Sequence, residues 1–75
     1  MNKKRRSALR AARSSLEKTL FGVTSVLEEE QDCLDNIPEN LQSGEKYEDA
    51  ESKIENLQEA VSQIENAIEN IDEAI

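Results

Sequence analysis

The chain has 75 residues, 36% hydrophobic and 35% charged, with a formal net charge of −8, one proline, one cysteine and no histidine. A chain this short forms one small domain and buries only about 60–65% of its unfolded surface, so a staple or a partner chain is the usual remedy for a thin core. An intramolecular disulfide, histidine-based catalysis and a zinc site of Cys/His type are excluded, because Cys33 has no mate and no imidazole is present.

The charge is distributed unevenly. Residues 1–18 hold Lys3, Lys4, Arg5, Arg6, Arg10, Arg13 and Lys18 against Glu17 alone, a balance of +6, whereas residues 19–75 carry −14. The basic start is not a secretory signal, since Arg10, Arg13, Glu17 and Lys18 interrupt every apolar window, and no segment approaches the ~20 apolar residues of a membrane span. Lys3 to Leu16 is Arg-rich and free of acids, which is the composition of a mitochondrial transit peptide. The helical pattern continues beyond it, so it is read as the start of the first helix.

That helix is predicted over residues 3–35. Leu9, Leu16, Leu20, Val23, Leu27, Leu34 and Ile37 alternate at three- and four-residue intervals, with Arg13 and Glu30 as polar interruptions. Ala12, Thr19, Val26 and Cys33, spaced by seven, add a small or apolar flank. Cys33 is read as a buried small hydrophobe. Gly22 lies on the outer face and costs about 1 kcal/mol relative to alanine. Phe21 lies off the seam and is the best single candidate for an interface anchor.

The connection, residues 36–44, is set by Pro38, which disfavours helical geometry at Ile37 and ends the first helix. Pro38-Glu39 suits a short helical turn capped near Asn36 or Ile37, and Ser43 or Gly44 restarts the chain. Ile37 and Leu41 are expected to close the end of the core.

A second helix is predicted over residues 45–75, where Tyr47, Ala50, Ile54, Leu57, Val61, Ile64, Ile68, Ile71 and Ile75 form an unbroken heptad seam. With Tyr47 as a, the g flank reads Lys53, Ala60, Ala67 and Ala74, and the e flank reads Glu51, Gln58, Glu65 and Asp72. Small residues beside a seam let another helix approach.

Two helices of similar length with a short link fold back antiparallel. If facing residues have numbers totalling about 80, Arg5, Arg6, Arg10 and Arg13 lie beside Glu65, Glu69, Asp72 and Glu73. Both stripes are wider than one neighbour covers. The expected fold is therefore all-α, a coiled-coil-type hairpin pairing with a second copy into a four-helix bundle, with Phe21, Val26, Tyr47, Ala60, Ala67 and Ala74 as interface candidates.

The run Glu28-Glu29-Glu30-Gln31-Asp32, the connection Asp35-Asn36-Ile37-Pro38-Glu39-Asn40-Leu41-Gln42 and a following helix rich in Glu, Ile and Ala resemble small acidic helical-hairpin proteins of bacteriophages, prophages and mobile elements of Gram-positive and gut bacteria. The resemblance covers residues 28–75. Cys33-Leu34 stands where those proteins tend to carry Ala-Phe, and the Arg-Gly often found after the serine is missing. It implies an origin and a fold but no catalytic residue; with no targeting segment read in the chain, the cytoplasm of a bacterial host is the expected location.

Candidate chemistry is sparse. Gly22 and Gly44 are too far apart for a phosphate loop, and Glu28, Glu29, Glu30, Asp32 and Asp35 lack the spacing of a calcium loop, so they read as a solvated acidic surface. Lys3, Lys4, Arg5, Arg6, Arg10 and Arg13 form a basic cluster, but without interleaved aromatics and beside an acidic helix they argue against direct nucleic-acid binding. No cofactor or metal is implied. The expected function is non-enzymatic binding of a host or phage protein. The alternative is an acidic nucleic-acid mimic that inhibits a host nucleic-acid-binding or defence enzyme.

Overall fold

The computed structural model describes residues 1–75 as two long helices and a short turn, with no strands. Helix α1 spans Lys3–Asp35, helix α2 spans Glu45–Ala74, and a 3-10 turn at Glu39–Leu41 lies between them. The helices lie antiparallel in a rod of 59 × 14 × 13 Å.

Local chemistry explains each boundary. Asn2 caps α1, its side-chain oxygen accepting a hydrogen bond from the Arg5 N–H at 2.8 Å. Asn36 ends it, donating from its side-chain amide to the Asp32 carbonyl at 2.9 Å, and the Ile37 N–H turns back to the Leu34 carbonyl at 3.1 Å. Pro38 stands extended (φ −57°, ψ 144°) just before the 3-10 turn and accepts from the Leu41 N–H at 2.9 Å. Gly44 rather than Ser43 occupies the cap position of α2, with ordinary extended geometry and no side-chain cap. The expected helix limits of 3–35 and 45–75 thus agree with the structure to within one residue.

The core is one seam wide. Leu34, Ile54 and Ile68 alone are buried, and Leu9, Leu16, Leu20, Val23, Leu27, Val61, Ile64, Ile71 and Ile75 are half-buried along the same line. At the second polar interruption the stripe shifts: Glu30 is exposed and Gln31 half-buried, as Thr24 is one heptad earlier. A straight helix drifts about 20° per heptad against a 3.5-residue repeat, which rotates the stripe toward these positions.

The register differs from the symmetric expectation. Arg13 binds Asp72, and Gln31 and Ile54 line one cleft while Glu17 and Ile68 line another, so facing residues total about 85 rather than 80. The offset comes from the connection, which occupies axial space above Asp35. The first turn of α2 packs against that connection, where Glu45, Lys46 and Tyr47 share a groove with Ile37 and Leu41. Met1–Ala8 consequently project about 12 Å past Ile75, at 1.5 Å per residue.

Two expectations about burial are corrected. Leu41 does not close the core but is 57% exposed, and only Ile37 of that pair is half-buried. Cys33 is exposed, because it flanks the seam on a side where the hairpin supplies no further neighbour.

Ile54→Ala should destabilise the fold by about 2–5 kcal/mol. Gly22→Ala should stabilise it by about 1 kcal/mol, since a methyl group there meets nothing within 4 Å. Urea denaturation followed by circular dichroism checks both.

Candidate interaction surfaces

Arg13 occupies a seam position, so its guanidinium must leave the apolar line to find water or a partner. It turns to one side of the hairpin and grips the Asp72 carboxylate with two donors, Nε to Oδ1 and Nη2 to Oδ2, the latter at 2.9 Å. Its Nη1 binds Glu17 one turn further along α1. This fork is the sole ion pair joining the helices; the other pair, Lys53 to Asp49 at 2.9 Å, lies within α2. The Asp72 carboxyl is held below the usual carboxylate range, first by the hydrogen bonds from Arg13 and then by its charge. The same bonds, with those to Glu17, raise the Arg13 guanidinium further. Lys53 is raised by its bond to Asp49 and, to a lesser degree, by Glu30 across the hairpin.

Of the four arginines expected to face the acidic end of α2, only Arg13 does so. Arg5, Arg6 and Arg10 make no ion pair, because the 85-residue register carries them to or beyond the end of α2. They form, with Lys3 and Lys4, an exposed basic head.

The two long sides of the hairpin differ in chemistry. On the Arg13–Asp72 side, clefts are lined by Glu17, Glu65, Glu69 and Asp72 near one end and by Gln31, Asp35, Glu51, Glu55 and Gln58 near the other. Glu17, Gln31, Glu51, Gln58, Glu65 and Asp72 are the e positions of the two helices, and Asp35, Glu55 and Glu69 stand next to them on the same side. Helical geometry puts the g flanks together on the opposite side, which carries Ala12, Thr19, Val26 and Cys33 from α1 and Lys53, Ala60, Ala67 and Ala74 from α2. Ala60 and Ala67 are half-buried, whereas Val26, Cys33 and Ala74 are exposed.

The six interface candidates therefore do not form one surface. Val26, Ala60, Ala67 and Ala74 share the apolar side. Phe21, 77% exposed, stands on the back of α1 toward the polar flank. Tyr47 is half-buried at the connection end, where with Ile37, Leu41, Gly44, Glu45 and Lys46 it lines a groove of about 480 Å³. Glu28, Glu29, Glu30, Asp32 and Asp35 are all exposed, and no three acidic or thiol groups are grouped to hold a metal ion. Sequence patterning did not single out the Tyr47–Leu41 groove; the only signal for it was an apolar residue on each side of a glycine-containing restart.

Because the folded Asp72 carboxyl is more acidic than its unfolded form, its contribution to stability is complete above the ordinary value of 3.8 and is lost as pH falls through the lower folded value. Asp72→Asn should lower the melting temperature at about pH 7, and the difference from wild type should shrink as the pH is taken progressively below 3.8, as read by thermal circular dichroism. Glu73→Gln, which removes an unpaired acid, should not lower it.

No family model, curated protein or solved structure matches this chain.

Proposed function

We propose that this chain is a non-enzymatic protein-interaction module whose hairpin associates with a second copy as a four-helix bundle and engages a host or phage protein. The observation that supports it most is the contrast between a seam that buries only Leu34, Ile54 and Ile68 and a flank of small or apolar residues, Val26, Cys33, Ala60, Ala67 and Ala74, left without a further helix against it. A 75-residue rod with so little buried gains stability by covering that side. The resemblance of residues 28–75 to acidic hairpins of phages and mobile elements supports the same assignment. No helix is long and apolar enough to cross a membrane.

A second reading rests on the opposite side. Carboxylates of Glu51, Glu55, Glu65 and Glu69, with Glu17 and Asp72 gathered by Arg13 at one end, line that side, and such a row of negative charge is the kind of surface a basic groove would accept in place of a phosphate backbone.

Sedimentation equilibrium at about micromolar concentration should find a dimer. Val26→Asp combined with Ala67→Asp should weaken it at least about tenfold, or about 1.4 kcal/mol, by placing charge in the contact. A wild-type monomer overturns the bundle. For the heterologous partner, mimicry requires that duplex DNA compete and that binding fall steeply between low and physiological salt. Loss of binding on Phe21→Ala or Tyr47→Ala, with little salt dependence, supports an ordinary apolar interface instead.

A further inference from the structure

The charges of α1 run against its own dipole. A helix N-terminus favours acids and its C-terminus favours bases, yet the first turn of α1 is Lys3-Lys4-Arg5-Arg6 without an acid, and its last turn has no base. Helix stability does not account for this layout. Neither does the hairpin itself, because the register takes Lys3, Lys4, Arg5 and Arg6 past Ile75.

The other end of the rod carries the complement. Residues 1–10 contain Lys3, Lys4, Arg5, Arg6 and Arg10 and no acid, a balance of +5. Residues 33–52, which make up the connection end, contain Asp35, Glu39, Glu45, Glu48, Asp49 and Glu51 against Lys46, a balance of −5. No rotation about a single hairpin's axis brings these ends together, but a two-fold axis across the middle of the rod does.

We infer that two copies pair antiparallel along the apolar side, the basic head of each lying on the acidic connection end of the other. This rests on the dimer proposed above and adds its orientation. The register makes the apolar side self-complementary under this symmetry. Ala60 and Ala67 straddle the midpoint of the rod almost evenly, so the two-fold sets Ala60 of one copy against the second copy's Ala67, where neither carries bulk that would hold the helices apart. A parallel pair would instead superpose the two +5 heads and the two −5 ends.

The test places one nitroxide label per chain at Ser43→Cys in a Cys33→Ser background; both positions are exposed. Antiparallel pairing separates the two labels by about one rod length, 59 Å, in a double electron–electron resonance measurement. Parallel pairing brings them within about 20 Å, given helices packed 8–10 Å apart. A long distance supports the inference; a short one overturns it while leaving the dimer intact; a monomer in sedimentation overturns both. As a second measurement, Lys3→Glu, Lys4→Glu, Arg5→Glu and Arg6→Glu together should raise the dimer dissociation constant at least about tenfold at low salt, while the monomeric hairpin melts no lower, since acids suit a helix N-terminus. An unchanged constant overturns the charge pairing.

Discussion

The register at which α2 lies on α1 is the constraint on which the rest of this molecule depends. A heptad seam alone tolerates slips of seven residues, since each slip again meets apolar residues. The connection removes that freedom. It gives α2 the level at which to begin, and at that level Arg13, placed in the seam, meets the Asp72 carboxylate on the facing flank. An exposed ion pair contributes little to overall stability. A slip of seven residues would put Glu65 in the place of Asp72, so the pair marks the register and the connection sets it.

From that register follow the two properties that matter for interaction. It sorts the flanks, turning the e positions of both helices to a polar side rich in carboxylates and the g positions to a side of alanine, threonine, valine and cysteine that ends at Lys53. It also exposes the basic head, which a symmetric hairpin would have buried among the acids of Asp72, Glu73 and Glu69. A molecule that could have cancelled its own charge asymmetry displays it at both ends.

Much of this was legible in the residues. The three-four alternation gave both helices, because an amphipathic stripe has one period whatever it packs against, and Pro38 marked the break because its ring excludes helical geometry before it. Exposure was less legible. Cys33 and Leu41 look like core by type and position, and whether either is buried depends on a neighbour that a two-helix hairpin does not provide. Gln31 in place of Glu30 reflects helical drift too small to read from spacing alone.

By itself the sequence determined the elements, their boundaries and the sign of charge along the chain, all consequences of local periodicity and backbone sterics. Only the tertiary structure decided the five-residue offset between the helices, and with it which arginine is paired, which head protrudes and which side stays apolar. The reason is that the offset depends on how the connection stacks on the end of α1, a matter of axial space at the turn that no pattern of residue types along either helix encodes.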